Sequence, residues 1–433
     1  RLLTLLKERY PGVPVVLISG RFGGALTRIQ SIQSRYPNVR QILVKVPDSD
    51  QQRRSDFVSD LLDLIPSLVR GSEGQRSALS HETGEKEQGV ISWLHLSDLH
   101  VGCEERKQDW QSLREALLKD LTGHRHPPEQ QAGHSAGIMF EPDFLFITGD
   151  IAYRAKQDEY KDAQAFLESI WSLTGLGRDQ TFIVPGNHDV DRTSVKNNIF
   201  HELTYERFAQ QNTAEEKEEW VNDIEKLCSD GHFSEILELK FRNYVDFASQ
   251  FTATPDDGLY YVQPVTVRDV KVDIVGLNSA LMSWKDREDT ELGLRIGAPQ
   301  YNQLKSSFSD EAAIRIALVH HPCEALHPYD IDWNWERVEK ACEIALHGHL
   351  HRPKAILKKP PGRSHLCLSG GSVHQGGVWR SQHYSYSVFN AGTRELDLYM
   401  RMTTSGTAEP LYVRDSVTYA EEAPNGYVQI RFD

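Results

Sequence analysis

Seven side chains that can bind metal ions lie along the chain, each shortly after a run of apolar residues. They are Asp98, His100, Asp150, Asn187, His320, His349 and His351. The runs before them, of which Val90–Leu96 is typical, are rich in β-branched and aromatic residues and predict buried strands. Loops at the carboxyl ends of strands are where open α/β sheets build their sites. We therefore expect separate loops to bring the seven residues to one rim.

The types of ligand in this set indicate the kind of metal. Carboxylates, imidazoles and an amide oxygen suit borderline divalent ions such as zinc, manganese or iron, and the set contains no cysteine. Seven ligands are too many for one tetrahedral ion, but they suit two ions ~3.5–4 Å apart that share one carboxylate. Asp150, alone on its loop, is the expected bridge. The residues thus predict a site for two divalent ions.

The same residues form five ordered blocks, LSDLH, TGD, PGNHD, VHHP and HGHLH. In this order the blocks resemble the calcineurin-like metallophosphoesterases, whose pattern is DxH, GD, GNHD or GNHE, a later H, and GHxH. The resemblance covers roughly residues 89–401 and implies the family's αββα sandwich of two mixed sheets. It assigns one ion to Asp98, His100, Asp150 and His351, and the other to Asp150, Asn187, His320 and His349.

The resemblance also implies roles for residues beside the ligands. His188 matches the family histidine that contacts the phosphoryl oxygens and protonates the leaving oxygen, and Asn187 would contact the substrate as well. In the HHP block the family ligand aligns with His320, which leaves His321 as a structural neighbour.

One position departs from the family pattern. Many members have an aspartate where this chain has Tyr153, and a neutral phenol would stabilise a charged His188 less well than a carboxylate. Asp189 and Asp191 either compensate for this or shape the turn after GNHD.

The predicted reaction follows from charge. Two dications opposed by two ligand carboxylates leave a positive centre that attracts a phosphate ester. A hydroxide between the ions, formed because the metals lower the pKa of water, would attack phosphorus in line. A phosphodiester such as a cyclic nucleotide is the favoured substrate, because LSDLH, GNHD and HHP look closer to the family's phosphodiesterase branch. The alternatives are a phosphomonoesterase or phosphoprotein phosphatase, a nuclease, and a regulatory ligand-sensing module with weak turnover.

The composition limits the class of protein. The chain has 433 residues, 39% hydrophobic and 25% charged, which is ordinary globular usage with room for more than one domain. Its net charge of −14 argues against a surface for duplex nucleic acid. No window approaches the ~18 apolar residues of a membrane span, and no secretory signal is evident. Five scattered cysteines favour free thiols. These features are consistent with a cytoplasmic enzyme, for which the resemblance implies a small phosphoester or nucleotide substrate.

Two further features lie near the predicted site. The segment RPKAILKKPPGR, which begins at Arg352, carries five basic residues and no acid. Arg352 is therefore a candidate contact for the substrate phosphate, and a solvated hairpin is the alternative for the segment. His374, in a Gly-rich turn, is a second candidate to face the metals.

By pattern, the chain divides into four parts. Residues 1–70 are a partial α/β domain with two strands, too few to bury both faces of a parallel sheet, which suggests further domains upstream. They weakly resemble the C-terminal half of a response-regulator receiver, and packing support for the next domain is the alternative. Residues 71–88 are a polar linker. Residues 89–401 are the phosphoesterase domain, with a helical insertion at about 197–251 that is either a cap beside the site or a solvated decoration. Residues 402–433 are a C-terminal extension.

Overall fold

A computed structural model of the chain describes residues 15–19, 39–44, 88–103, 107–125, 140–194, 196, 231–251, 259–283, 294–360, 362–374, 381–404, 410–415 and 427–433. The chain divides into two units, residues 1–79 with 420–424 and residues 80–419 with 425–433. In the first unit, β1 (Val15–Ser19) pairs in parallel with β2 (Val39–Val44). These are the two strands expected in residues 1–70. The receiver-like helices and nearly all of the predicted linker 71–88 lie outside the described residues.

The second unit contains two mixed sheets, and the first of them follows the N-terminal motif strands. Its strands are β3 (Val90–Leu96), β4 (Phe144–Thr148), β5 (Thr181–Val184), β12 (His383–Asn390), β13 (Glu395–Thr403), β14 (Tyr412–Arg414) and β15 (Val428–Arg431). The order is β14-β13-β12-β3-β4-β5, with β15 also paired to β13. β3, β4 and β5 run parallel, while β12 and β13 are antiparallel to their neighbours. The predicted extension 402–433 thus contributes strands to this sheet.

The second sheet carries the C-terminal motif strands. Its strands are β6 (Tyr261–Val267), β7 (Val270–Gly276), β8 (Ile314–Leu318), β9 (Ile344–His347), β10 (Pro353–Lys358) and β11 (His365–Gly370). They lie in the order β10-β11-β9-β8-β7-β6. The four central strands are parallel, and the edge strands β6 and β10 are antiparallel to their neighbours. Parallel pairing puts the carboxyl ends of β8 and β9 at the same edge, where their motifs begin.

The two sheets pack against each other through alternate side chains of their strands. Trp93 and Phe146 of the first sheet and Ile316, Leu346 and Leu368 of the second belong to one core, each at most 1% exposed. Because successive strand residues point to opposite faces, the intervening residues face outward onto helices. Burial on both faces explains why these strands read as continuous apolar runs.

Helices cover the outer face of each sheet. On the first sheet lie α1 (Lys107–Arg125), α2 (Gln157–Thr174) and α3 (Gly231–Ala248). On the second lie α4 (Ala298–Lys305) and a helical stretch made of Pro328–Asp330, the π-helical Ile331–Trp335 and α5 (Glu336–Ala341). This is the predicted four-layer αββα sandwich. No helix within the described ranges has both the length and the apolar character needed to cross a membrane.

The described part of the predicted insertion is the helix α3; residues 197–230 lie outside the described ranges. Phe241, Tyr244 and Phe247 of α3 are buried in the same core as α2. The backbone carbonyl of Lys240 accepts a hydrogen bond from the Asp191 amide at 2.8 Å. The Asn243 amide donates to the Ala155 carbonyl at 2.8 Å. α3 is therefore packed against the loops that follow the GD and GNHD blocks.

Candidate metal centre

All seven predicted ligands lie just beyond the carboxyl ends of parallel strands. Asp98 and His100 follow β3, Asp150 follows β4 and Asn187 follows β5. His320 follows β8, and His349 and His351 follow β9. The motif loops of both sheets meet at one rim, as the strand pattern predicted. Six of the seven have side chains that approach one another in overlapping groups with ligand atoms within 4.8 Å, and Asn187 contacts a member of one group.

One carboxylate oxygen stands at the centre of the rim. Oδ2 of Asp150 lies 3.2 Å from Nε2 of His100 and 3.2 Å from Nε2 of His320. A second pair brings Oδ1 of Asp98 to 3.0 Å from Nε2 of His351. The carboxylates of Asp98 and Asp150 are at most 1% exposed. Asp150 thus touches one histidine from each of the two ligand sets that the resemblance implies.

The protonation of these histidines tests whether metal ions fit. Nδ1 of His100 lies 3.0 Å from the His374 carbonyl, and Nδ1 of His320 lies 2.7 Å from the Thr148 carbonyl. A carbonyl can only accept, so Nδ1 is the donor, and in a neutral ring Nε2 turns a lone pair toward the carboxylate. Such a pair needs a cation between its atoms, and backbone-held imidazoles are typical of metal ligands. The donor set therefore fits divalent ions.

Without a metal ion, a proton takes the place of that cation. Burial by itself would lower the pKa of His320, but the adjacent Asp150 carboxylate raises it to about 10. Burial would likewise raise the pKa of Asp150, yet the surrounding histidines, His320 foremost, hold it well below its ordinary value. The rim is thus built for positive charge between its acids and its imidazoles.

A second group of side chains at the rim includes His320. Ligand atoms of His320, His321 and His349 lie within 4.8 Å of one another. Nε2 of His321 is 3.1 Å from Oδ1 of Asn187, while its Nδ1 lies 2.8 Å from the Ser279 hydroxyl. His321 therefore holds Asn187, whereas His320 contacts Asp150. The choice of His320 over His321 as the ligand stays a prediction.

The backbone of the rim is unusual. Five of the seven predicted ligands have a positive φ, from 45° to 65°: Asp98, His100, Asp150, His349 and His351. Residues with a Cβ rarely adopt this left-handed region, and each such residue costs ~1–3 kcal/mol unless its surroundings impose it. The turn directs each side chain back over the end of its strand. Strain of this kind clusters at functional sites.

Two glycines of the motifs are required by close approach. A Cβ at Gly186 would collide with the Asp150 carboxylate, and a Cβ at Gly348 would collide with Ser97 and with the Asp98 carboxylate. The glycine of GNHD therefore lets one loop close over the carboxylate of another. The glycine of GHxH does the same for Asp98.

His188 lies beside the predicted ligands and contacts Tyr153 in two ways. Its Nδ1 donates to the Tyr153 carbonyl at 2.8 Å, and the two rings stack at 5.1 Å with planes 18° apart. Its backbone amide donates to Oδ1 of Asp150 at 2.8 Å. Burial lowers the pKa of His188, although the Asp150 charge acts in the opposite direction. A backbone carbonyl thus orients this imidazole.

Asp189 and Asp191 shape the turn after GNHD. The buried carboxylate of Asp189 accepts hydrogen bonds from the amides of Ile151, Ala152 and Gly186 at 2.9–3.2 Å. Burial raises its pKa to about 6. Asp191 instead pairs with Lys156 at 2.8 Å. Both acids support the turn, and the contacts of His188 described above come from Tyr153 and Asp150.

The basic segment forms a hairpin strand rather than a free cationic surface. β10 pairs with β11, and Lys354 and Lys358 form ion pairs with Glu324 and Glu339. Arg352 is exposed next to His351, and its substrate contact stays a prediction. His374 lies at the rim through its backbone, since its carbonyl accepts from His100 and its amide donates to the Asp98 carbonyl at 3.1 Å.

Two serines of the rim were not predicted. The Ser97 hydroxyl donates to Oδ2 of Asp98 at 2.6 Å, and the Ser279 hydroxyl contacts His321. Ser279 comes three residues after β7, the same offset at which Asn187 follows β5. The rule that polar residues after buried strands belong to the site could therefore have found it.

Comparisons with known proteins agree with this geometry. The family model described as calcineurin-like phosphoesterase matches residues 91–353. An uncharacterized metallophosphoesterase-like protein of Bacillus subtilis, YydB, is 25% identical over 237 residues, covering 53% of this chain and 42% of that protein. The chain thus spans about two-fifths of the length of this curated relative.

Solved structures give weaker likenesses. A conserved uncharacterized protein of Streptococcus pneumoniae is 13% identical with a TM-score of 0.25, covering 76% of this chain and 98% of that one. Vacuolar protein sorting 29 of Cryptosporidium parvum is 12% identical with a TM-score of 0.29, covering 75% and 98%.

Proposed function

The chain belongs to the calcineurin-like phosphoesterase family, whose members are metal-dependent phosphoesterases, and on this premise we propose that it hydrolyses phosphodiesters with two divalent ions. The proposed ligands are those of the sequence prediction. One ion would be held by Asp98, His100, Asp150 and His351, and the other by Asp150, Asn187, His320 and His349. Manganese, iron and zinc all suit these donors.

One observation carries the proposal. Oδ2 of Asp150 is 3.2 Å from Nε2 of both His100 and His320, and a backbone carbonyl fixes the far nitrogen of each ring. Two imidazole lone pairs directed at one carboxylate oxygen would be stabilised by cations held by these three side chains. A shared carboxylate between two ions is the arrangement that two-metal hydrolases use.

The side chains of the rim would divide the work as follows. When bound, the two ions supply charge neutralisation for the phosphoryl group and lower the pKa of water. Asn187, held by His321, would contact a non-bridging oxygen of the ester. His188 would face the leaving oxygen with Nε2, because its Nδ1 is occupied by the Tyr153 carbonyl. Proton transfer from Nε2 would then complete the cleavage.

The preference for a diester rests on the motifs. LSDLH, GNHD and HHP, all present here, look closer to the phosphodiesterase branch of the family. A cyclic nucleotide or another small diester is the proposed substrate class.

A metal-dependent substrate panel tests the proposal. The chain, stripped with a chelator, is assayed with bis-(p-nitrophenyl) phosphate and p-nitrophenyl phosphate after addition of manganese, zinc or iron. We expect turnover only with metal, and faster turnover of the diester. Faster turnover of the monoester would overturn the diester assignment, and no metal-dependent turnover of either ester would overturn the enzyme.

A further inference from the structure

A second group of metal-ligating side chains lies outside the motifs. Glu339, His365 and Cys367 bring one carboxylate oxygen, one imidazole nitrogen and one thiol sulfur within 4.8 Å of one another. None of the three belongs to the ligand set of the rim. They lie between β11 and the helix α5, on the outer face of the second sheet.

Strand alternation places two of these donors side by side. His365 and Cys367 are two residues apart on β11, so their side chains leave the same face of the sheet. Leu366 and Leu368, which alternate with them, point into the core between the sheets. Cys367 instead belongs to the core beneath the helices that cover this face. Glu339 comes from one of these helices, α5, and completes the group from above.

His365 is held with one nitrogen ready to bind. Its Nδ1 lies 2.7 Å from the Cys342 carbonyl and must donate to it, so a neutral ring carries its lone pair on Nε2. The residue is 1% exposed, and its Nε2 has no hydrogen-bond partner within the described residues. Leaving a buried polar atom unsatisfied costs ~1–3 kcal/mol. A backbone-held histidine with an unsatisfied second nitrogen is the arrangement expected of a metal ligand.

The carboxylate of Glu339 is also fixed from one side. Its Oε1 accepts hydrogen bonds from Nε1 of Trp335 at 2.7 Å and from the Lys358 ammonium. The Trp335 ring stands edge-on to the His365 ring at 6.3 Å. Both of these contacts use Oε1, which leaves Oε2 as the oxygen for a further ligand. Lys358 is a competing cation, but its side chain is 41% exposed and can turn to solvent.

We propose that Glu339, His365 and Cys367 bind one zinc-class ion, a site separate from the rim. Thiolate, imidazole and carboxylate are the three donor types that Zn²⁺ and Co²⁺ accept together. Ligand atoms around a tetrahedral zinc ion lie roughly 3.3–3.8 Å apart, since its bonds are ~2.0–2.3 Å long. The three donor atoms, within 4.8 Å, need to close by about 1.5 Å at most. Binding displaces the thiol proton of Cys367.

Cys367 also borders a pocket, whose lining includes Cys323, Leu350, Lys354, Ile356 and Lys358. With three protein ligands, the ion would keep one position for water or an external ligand.

Cobalt spectroscopy distinguishes this site from the rim. The metal-free chain is titrated with Co²⁺ alone under reducing, anaerobic conditions, and the thiolate-to-cobalt charge-transfer band in the near ultraviolet is followed. We expect this band from cobalt bound to Cys367. The predicted ligands of the rim include no sulfur, so cobalt bound there would not produce the band. Addition of Zn²⁺ should displace cobalt and remove the band. Absence of the band from the unaltered chain, with cobalt bound at the rim, would overturn the proposal.

Matched variants assign the ligands. Cys367→Ser should abolish the band while the rate with bis-(p-nitrophenyl) phosphate stays unchanged. Cys342→Ser, a change at another buried cysteine of the same core, should keep the band. Glu339→Gln should weaken cobalt binding at this site by at least ~10–100-fold, the loss that outer-shell changes already produce. Persistence of the band in Cys367→Ser would overturn the assignment. If Cys367→Ser fails to fold, unchanged cobalt affinity in Glu339→Gln would do so.

Discussion

The rim and the Glu339–His365–Cys367 cluster offer similar donors on different kinds of backbone. At the rim, five of the seven predicted ligands have a left-handed backbone in loops after strands. In the cluster, His365 and Cys367 lie on a regular strand and Glu339 on a helix, and none of the three has a positive φ. A regular strand can offer only alternate residues to one site. Loops are needed where many ligands must converge, and strain is the consequence.

The difference also shows in what surrounds the donors. At the rim, Nε2 of His100 and of His320 faces the Asp150 carboxylate. Because each ring donates from Nδ1 to a backbone carbonyl, a lone pair faces a carboxylate oxygen, and a bound cation would stabilise this arrangement. In the cluster one carboxylate already has a lysine as its counter-ion. We therefore expect the rim to bind metal far more tightly than the cluster, which must displace Lys358.

The largest expected effect is that of Asp150→Asn. Replacing the shared carboxylate by an amide of the same shape should release both rim ions together and reduce turnover to background. The loss should exceed the ~10–100-fold that follows from removing an outer-shell partner. The measurement is metal content and rate in the same preparation. The cobalt–thiolate band of the cluster should survive, since Asp150 contributes nothing to it.

A nearby carboxylate serves as the control for this change. Asp191→Asn alters an acid that pairs with Lys156 and shapes a turn, and it should leave both rim ions in place. Two ions retained at full occupancy in Asp150→Asn would show that this residue is not the bridge.

His188→Ala should have a smaller effect, confined to the rate. The change removes the proposed acid but no proposed ligand, so metal content should stay constant while turnover slows by ~10²–10⁴-fold. Tyr153→Phe keeps the stacked ring and the carbonyl, whereas Tyr153→Ala keeps the carbonyl alone. We expect the alanine variant to be the slower of the two. An unchanged rate in His188→Ala would exclude this residue as the acid.

The position of the rim was predictable from the sequence because each predicted ligand stands beside local signals. Each predicted ligand follows an apolar run within about ten residues, and a glycine directly precedes Asp150, Asn187 and His349. The αββα class was implied by the family resemblance that these blocks carry. The backbone strain was not predictable. The residue types at Asp98 and His351 are explained by their ligand atoms, so these types do not reveal that the backbone has a positive φ. Only the glycines hinted at the close approach.

The cluster escaped prediction for a different reason. HLC within β11 reads as an ordinary buried strand, and Glu339 lies in a charged helical stretch. Glu339 approaches His365 and Cys367 because β9, the strand that follows α5, pairs with β11. This order of strands in the sheet is not visible in the local sequence pattern. Residues 197–230, where part of the predicted insertion falls, lie outside the described ranges.

The smallest predicted effect tests the backbone difference itself. His349, at φ 65°, and Cys367, on a regular strand, are each changed to alanine and to glycine. Both changes remove the donor atom, so the two variants of each pair differ only by a Cβ and by the backbone preference that the Cβ sets. In metal-free protein, His349→Gly should be more stable than His349→Ala by ~1–2 kcal/mol, the cost of left-handed backbone for a residue with a Cβ.

At Cys367 the order should be reversed, with glycine less stable than alanine by ~0.5–1 kcal/mol, because glycine loses more conformational freedom in a strand. The free energy of unfolding in urea, measured in the presence of a chelator, gives both differences. If alanine equals glycine at position 349, the rim does not store backbone strain. Bringing the rim side chains together would then cost no more free energy than bringing the cluster side chains together. The opposite orders at the two positions would show that the rim, unlike the cluster, trades stability for the number of ligands it can gather.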